Sequence, residues 1–156
     1  MAEVLLRARA QEKGARVTVS SSGTWAIEGE PATPGAIEAM RTRGIDLSEH
    51  RSRPFEDAEG RVADLIVAMT SVHLREIAAA LPGSSQKTRL LKELTQLEAE
   101  ESGTEAARLD GLLAADRPQW VRSLDLDDPM GLPFQAYEVC ATELEKGIER
   151  LLRLLG

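Results

Sequence analysis

The segment Ala63–Met69 constrains the fold of this chain more than any other, because it contains the continuous apolar run Leu65-Ile66-Val67. A run of this kind is typical of a parallel β-strand that is buried on both faces. Thr70 or Ser71 follows at once as a candidate N-cap, and the helix that it would start ends near Pro82. A buried strand joined directly to a helix predicts an α/β fold with a parallel sheet.

The chain on both sides continues this alternation. Helical spacing or a helix cap predicts four more helices, and two further segments have the character of strands. The predicted helices are Met1–Lys13, the segment from Pro34 to just before Gly44, Thr104–Ala115 and Pro133–Leu155, and the predicted strands are Arg16–Ser20 and the weaker Lys87–Leu91. Residues 95–103 and the Asp-rich residues 123–131 are predicted loops. Parallel sheets bind ligands beyond the carboxyl ends of their strands, so a site is expected at that edge.

The composition fits a single domain over residues 1–156, because 156 residues with 42% apolar side chains can bury a core without disulfides. The one cysteine, Cys140, excludes an internal disulfide framework and a cysteine-rich metal site, and it predicts a cytoplasmic location. The net charge of -7 argues against nucleic acid or an anionic membrane as a partner. No apolar run approaches the roughly 20 residues of a membrane-spanning helix.

Five short segments follow one another in an order that is shared with one protein family. They are Ser21-Ser22-Gly23-Thr24-Trp25, Gly29-Glu30-Pro31-Ala32-Thr33-Pro34, residues 44–53, residues 63–70 and Asp128-Pro129-Met130-Gly131. In this order they resemble the low-molecular-weight protein tyrosine phosphatases nearly end to end. Ala32-Thr33-Pro34 and Ala68-Met69-Thr70 also resemble the bacterial protein arginine phosphatases. The resemblance implies a flavodoxin-like, three-layer α/β fold, with a parallel sheet and helices on both of its faces.

The same resemblance implies that one part of the family's pattern is missing from this chain. The family has a catalytic loop of Cys, five residues, Arg and Ser, which follows an internal first strand of the sheet. Met1-Ala2-Glu3 matches the end of that motif. We therefore expect an N-terminally truncated domain that lacks the first strand and the catalytic loop, and we expect in-frame codons upstream of Met1 to encode both.

Asp128 is the strongest candidate for a catalytic residue. Proline restricts the residue before it to an extended conformation, so the carboxyl of Asp128 is expected on a rigid loop before Pro129. In the family that this chain resembles, the corresponding aspartic acid protonates the leaving oxygen, and general acid assistance contributes roughly 10²–10⁴-fold. The adjacent Asp127 is a rival carboxyl, and an acidic turn without catalytic function is the alternative.

The resemblance assigns four other residues to the site. His50 would hydrogen-bond the catalytic loop and support its backbone rather than transfer a proton, and Ser22 would belong to the same supporting network. Trp25 and Met130 would form the wall of the substrate pocket, although the family usually has an aromatic residue where Met130 stands. A place in the hydrophobic core is the alternative for both Trp25 and Met130.

Cys140 is expected to be a small buried hydrophobic residue, on a helical face that it shares with Tyr137 and Leu144. It does not match the family's nucleophile, because Lys146-Gly147 follows at the spacing where the motif needs Arg-Ser. The lack of a second cysteine also weakens the alternative of an arsenate reductase on this fold.

The family hydrolyses phosphotyrosine-type phosphomonoesters through a phosphocysteine intermediate, without a metal or other cofactor. The expected partner is a phosphorylated protein or a small phosphomonoester, and the oligomeric state stays open. The alternatives are a catalytically dead relative that acts as a binding module, and another activity on the same scaffold, such as protein arginine phosphatase or arsenate reductase. Since the loop cysteine and arginine are missing, the 156 residues as written are predicted to be inactive.

Overall fold

The computed structural model describes residues 1–97, 104–115 and 124–156. In chain order, the elements found there are α1 (Ala2–Lys13), α2 (Pro34–Arg41), α3 (Asp57–Val62), β1 (Ile66–Ala68), α4 (Ser71–Ala80), a 3₁₀ turn (Ser84–Lys87), β2 (Thr88–Leu90), α5 (Leu91–Leu94), α6 (Glu105–Ala114) and α7 (Phe134–Leu155). The chain forms two compact units. Met1–Phe55 and Asp127–Ile148 make up the N-terminal unit, and Glu56–Leu126 and Glu149–Gly156 make up the sheet unit.

The predicted caps at Gly14 and Thr33 are confirmed, whereas α2 ends at Arg41, earlier than the predicted end just before Gly44. Gly14 follows α1 with a φ of 68°, in the left-handed conformation that favours glycine. Thr33 is the N-cap of α2, where its Oγ accepts a hydrogen bond from the backbone N–H of Ala36 at 3.3 Å. Pro34 occupies the first helical position, which needs no N–H donor. The buried side chains of this unit include Leu5, Met40, Leu47, Leu144 and Ile148.

Helix α2 packs closely against α7 at Gly35. A Cβ atom on Gly35 would lie only 2.6 Å from Cε2 of the buried Tyr137, so this approach requires a residue without a side chain. At the other end of α2, Arg43 forms ion pairs with two residues of α7, at 3.0 Å from Glu138 and 3.1 Å from Glu145. Apolar packing and ion pairs therefore fix α7 on α2.

The predicted strand Arg16–Ser20 is wrong, because these residues lie outside every strand of the described chain. The alternation that suggested it is real, since Val17 and Val19 are half-buried while Arg16, Thr18 and Ser20 are exposed. A strand also needs a backbone partner, and here the carbonyl of Val19 accepts a hydrogen bond from Nη2 of Arg7 at 3.0 Å. The alternation thus predicts which side chains face inward, but it does not predict a hydrogen-bonded ladder.

The sheet unit contains the parallel pair of strands β1 and β2. Its register places Ile66 opposite Thr88, Val67 opposite Arg89 and Ala68 opposite Leu90. Both strands fall within predicted segments, so these two predictions are confirmed. The expected burial of the apolar run on both faces is wrong, however, because Ile66 and Val67 are only half-buried while all of β2 is buried. The reason is packing, since β2 contacts α4, α5 and the 3₁₀ turn as well as β1.

Arg89 in β2 is a charged residue that is only 3% exposed. Its guanidinium donates hydrogen bonds to three carbonyls at the C-terminal end of α6. The acceptors are the carbonyls of Leu112 and Ala115, both at 3.3 Å, and the carbonyl of Leu113. Nε of Arg89 also lies 3.6 Å from Oε1 of Glu93, which is 2% exposed. The side chain therefore satisfies the last carbonyls of a helix and neutralises a buried carboxylate at once.

The short elements α3, α5 and the 3₁₀ turn are not predicted from the sequence, because they are too short for a periodic pattern. The predicted loops at 95–103 and 123–131 lie partly outside the described residues, at 98–103 and 123, and the described residues 95–97 and 125–131 belong to no helix or strand. Within the described ranges, the structure has no helix of the length and apolar character that a membrane span requires. In the same part of the chain, no three His, Cys, Asp or Glu side chains are arranged to hold a metal ion.

Candidate active site

Asp128 lies on residues 124–133, which we call the Asp128 loop. Its side chain is exposed, and Oδ1 accepts a hydrogen bond from the backbone N–H of Met130 at 2.9 Å. The N–H of Leu132 donates to the carbonyl of Pro129 at 3.0 Å, and Gly131 between them has a φ of 76°. This turn, built on Asp-Pro and a left-handed glycine, holds the carboxyl of Asp128 at the surface.

A second loop, residues 23–30, carries Trp25 and is called the Trp25 loop. Four backbone hydrogen bonds join the two ends of this loop, which form its stem, to residues 52–55. At the first end, the N–H of Gly23 donates to the carbonyl of Arg53 and the N–H of Phe55 donates to the carbonyl of Gly23, both at 3.0 Å. At the second end, the N–H of Gly29 donates to the carbonyl of Ser52 at 2.8 Å and the N–H of Ser52 donates to the carbonyl of Glu30 at 2.9 Å. The hydroxyl of Ser52 also donates to the carbonyl of Ile27. The stem is therefore fixed by hydrogen bonds, while the side chains of Trp25 and Ile27 stand exposed at the tip.

The exposure of Trp25 and Met130 tests the alternative of a core role, while their place in the wall of a substrate pocket stays a prediction. Trp25 is 84% exposed and Met130 is 69% exposed, so neither belongs to the hydrophobic core. Large apolar side chains in solvent are available for contact with a ligand or partner. The alternative of a core role is wrong for both residues.

Glu3, in the first turn of α1, brings three polar side chains together. Its Oε2 accepts a hydrogen bond from Oγ of Ser21 at 2.5 Å, its Oε1 accepts one from Nη2 of Arg7 at 2.5 Å, and Nδ1 of His50 lies 3.9 Å from Oε2. Burial alone would raise the pKa of Glu3, but the hydrogen bonds from Ser21 and Arg7 outweigh it, and the pKa is lowered. Partial burial lowers the pKa of His50, so its imidazole is neutral at pH 7.

The structure places the predicted Ser22 in solvent, whereas its neighbour Ser21 is half-buried and contacts Glu3. Sequence reasoning missed both Ser21 and Glu3. A signal for Ser21 was present in the alternation, because the inward-facing residues before it have odd numbers, as in Val17 and Val19. If every second residue continues to face inward, the next inward-facing residue after Val19 is Ser21 and not Ser22.

Cys140 lies inside α7 and is buried. Burial raises the pKa of its thiol, and the nearby charge of Asp128 also acts to raise it. A thiol in such surroundings stays protonated at neutral pH and is a poor nucleophile. The prediction that Cys140 is a small buried hydrophobic residue is confirmed.

All five predicted site residues belong to the N-terminal unit, and hydrogen bonding joins Asp128 directly to the backbone of Met130. His50 lies beside the first turn of α1, while Trp25 stands at the tip of its own loop. The arrangement offers an exposed carboxyl that can donate a proton and a neutral imidazole that can hold a neighbouring backbone. Because the one cysteine of the sequence is buried, the arrangement does not supply a reactive thiolate.

Comparison with known proteins gives one consistent result. The family model for low molecular weight phosphotyrosine protein phosphatase matches residues 1–156. The chain is 30% identical over 149 residues to the probable low molecular weight protein-tyrosine-phosphatase EpsP of Ralstonia solanacearum, and the match covers 96% of this chain and 81% of EpsP. It is 38% identical over 93 residues to the protein-arginine-phosphatase of Bacillus subtilis (strain 168), a match that covers 60% of this chain and 61% of that protein.

The structure agrees with these sequence matches. The crystal structure of the low molecular weight protein tyrosine phosphatase from T. tengcongensis superimposes with a TM-score of 0.76 at 28% identity, and the match covers 97% of this chain and 86% of that one. The fold is therefore the flavodoxin-like α/β fold of these phosphatases, as predicted, while the lack of the family's first strand stays a prediction.

Proposed function

We propose, from the premise that this chain belongs to the low molecular weight phosphotyrosine protein phosphatase family, that Asp128 is the general acid in the hydrolysis of phosphotyrosine-type phosphomonoesters. The observation that carries the proposal is the exposed carboxyl of Asp128, held before Pro129, in a chain that matches the family model from residue 1 to residue 156. Asp127 is exposed too, but it does not precede a proline.

The role of Asp128 follows from the chemistry of the leaving group. When the phosphorus–oxygen bond breaks, the leaving oxygen carries negative charge, and a proton from a carboxylic acid turns it into a neutral phenol or alcohol. Oδ1 of Asp128 already accepts the hydrogen bond from Met130, so we assign the transferred proton to Oδ2. The attacking thiolate is not supplied by these 156 residues, because their one cysteine is the buried Cys140.

The other predicted residues take supporting roles in this proposal. A neutral His50 donates or accepts a hydrogen bond without bringing charge, which suits a group that steadies a loop backbone. Glu3 and Ser21 hold the first turn of α1 beside it, and we add both to the supporting network that was predicted to include Ser22. Trp25 and Met130 provide apolar surface for the side chain that bears the phosphate.

The test compares two forms of the protein on aryl phosphates. The 156-residue chain should not hydrolyse p-nitrophenyl phosphate. A chain that carries a strand and a Cys-x5-Arg-Ser loop before Met1 should hydrolyse it, and Asp128→Ala should then lower turnover by about 10²–10⁴-fold on phenyl phosphate and by less on p-nitrophenyl phosphate, whose leaving group needs less help.

Asp127→Ala is the matched control, because it removes the neighbouring exposed carboxyl, and it should leave both rates nearly unchanged. Equal losses on the two substrates in Asp128→Ala would contradict the acid role. A loop-bearing chain that folds but has no activity would favour the alternative of a catalytically dead binding module.

A second candidate activity is the hydrolysis of phosphoarginine in proteins. The observation that favours it is the 38% identity to the protein-arginine-phosphatase of Bacillus subtilis over 93 residues. The identity to EpsP of Ralstonia solanacearum is 30%, over the longer match of 149 residues. The two activities separate when kcat/KM is measured on one peptide that carries either phosphotyrosine or phosphoarginine. A preference for phosphoarginine would replace the tyrosine assignment while leaving the acid role of Asp128 in place.

We also propose that residues 1–156 belong to one domain, and that the active enzyme works on phosphorylated proteins in the cytoplasm. The single cysteine supports this location, because a reducing compartment makes no use of disulfides. Calorimetry should show one cooperative unfolding transition, and cell fractionation should find the protein with cytoplasmic markers. Two separated transitions would contradict the single domain.

A further inference from the structure

Asp125 stands three residues before Asp128 and binds the N-terminus of α4. Its Oδ1 accepts a hydrogen bond from the backbone N–H of Ser71 at 2.5 Å, and its Oδ2 accepts one from the hydroxyl of Ser71 at 3.0 Å. Ser71 is the first residue of α4 and is buried. The unpaired N–H groups and the dipole of a helix N-terminus both favour an anion at this place.

The backbone around Asp125 is held as well. Nζ of Lys92 donates to the carbonyl of Asp125 at 3.2 Å, and the N–H of Leu126 donates to the carbonyl of Met69 at 2.9 Å. The side chains of Leu124 and Leu126 are buried on either side. Hydrogen bonds and apolar packing therefore fix residues 124–126 in the sheet unit.

This anchor lies at the carboxyl ends of the two parallel strands. Met69 follows β1 directly, Ser71 begins the helix after it, and Lys92 belongs to α5, which follows β2. Ligands bind beyond this edge of a parallel sheet. The first residues of the Asp128 loop are thus attached where such a sheet meets its ligand.

We propose that Asp125 is a positioning residue for Asp128, an inference that rests on the proposed role of Asp128 as the general acid. Two residues of extended chain span at most about 7 Å, so the Cα of Asp128 lies within that distance of Leu126, whose place the anchor fixes. A general acid must reach the leaving oxygen within about 2.6–3.2 Å. A misplacement of about 1 Å is enough to lower a rate roughly 10²-fold.

A simpler role for Asp125 would be to cap α4, but α4 already has a cap. Thr70 is its N-cap, and Oγ of Thr70 accepts a hydrogen bond from the backbone N–H of His73 at 3.3 Å. Thr70→Ala therefore provides a matched control, because it weakens the start of α4 without removing a partner of Asp125.

The test is ¹⁵N relaxation of the protein, and it needs no substrate. In Asp125→Ala, the backbone order parameters of Asp127, Asp128 and Met130 should fall from about 0.85 to below about 0.6. Ser71→Ala should give a smaller fall, because it keeps the backbone donor. Thr70→Ala should loosen the first turn of α4 and leave the Asp128 loop as ordered as before.

If Asp125→Ala loosens only the first turn of α4, as Thr70→Ala is expected to do, the inference is overturned. Asp125→Asn keeps one acceptor oxygen and gives the same comparison if the alanine variant does not fold. The proposed function fails in a different readout, namely if Asp128→Ala leaves the leaving-group dependence of turnover unchanged. In the active enzyme, the loss in Asp125→Ala should grow as the leaving group becomes poorer, whereas a uniform loss on all substrates would contradict positioning.

Discussion

Replacing Gly35 by alanine should destabilise the protein, although alanine is the better helix former. The new Cβ would lie 2.6, 2.7 and 2.9 Å from Cε2, Cδ2 and Cζ of Tyr137. Carbon atoms that are not bonded pack best at about 3.5–4.0 Å, so α2 and the ring must separate by about 1 Å. Because Tyr137 is buried, at 7% exposure, we expect overpacking to be the dominant effect, at about 1–3 kcal/mol.

The helix propensity of alanine offsets only part of this cost, since a glycine in a helix is worse than alanine by about 0.5–1 kcal/mol. We therefore expect Gly35→Ala to lower the free energy of unfolding by about 1–2 kcal/mol. Gly111 in α6 is the matched control, because no atom of the residues that the structure describes lies within 4 Å of the Cβ that an alanine would add there. Gly111→Ala should raise the free energy of unfolding by about 0.5–1 kcal/mol.

Thermal unfolding followed by circular dichroism measures both variants. At about 2–4 °C per kcal/mol for a chain of this size, the two Tm values should differ by about 3–12 °C. The decisive comparison repeats Gly35→Ala in a Tyr137→Ala background, where the ring is gone and the substitution should be neutral or stabilising. The same loss in both backgrounds would refute the steric argument.

Arg89→Met should lower the free energy of unfolding by about 3–5 kcal/mol, because it leaves the carboxylate of Glu93 buried without its cation. Urea denaturation should show a smaller loss for the same change in a Glu93→Gln background, and equal losses would speak against the buried pair. Since the pKa of His50 is lowered in the folded protein, stability should rise as the pH rises toward the ordinary imidazole pKa of about 6.5. Denaturation between about pH 5 and 7.5 should show a weaker rise in His50→Gln, and an unchanged slope would exclude His50 as its source. The raised pKa of Cys140 contributes stability that is complete below the ordinary thiol pKa of about 8.5 and declines above it. Cys140→Ala should reduce that decline, and rapid reaction of the native thiol with Ellman's reagent would contradict its burial.

The sequence predicts best what is decided within a few residues. Thr33 with Pro34 and Gly14 mark helix ends through local backbone chemistry, and the structure has both caps. The strand predicted at Arg16–Ser20 depends on a partner elsewhere in the chain, which no local pattern reveals. Likewise, the complete burial of β2 results from the elements that cover it and not from its own composition, which includes the charged Arg89.

The residues of the candidate site also differ in whether a local sequence pattern predicts them. Asp128 is found from the sequence because the following proline and the family motif mark it. Its anchor at Asp125 is missed, because the partner Ser71 lies 54 residues away and only the folded chain brings the two together. The contact between Ser21 and Glu3 spans 18 residues and is hidden for the same reason.

The construction of the Trp25 loop bears on how proteins of this kind can change over time. Trp25 and Ile27 contribute little buried surface, while Ser52 and the backbone bonds of the stem hold the loop independently of the side chains at its tip. Replacement of the exposed Ile27 should therefore cost little free energy of folding. Under the proposed function, single substitutions at this tip can change which substrate is bound without first accumulating spare stability elsewhere.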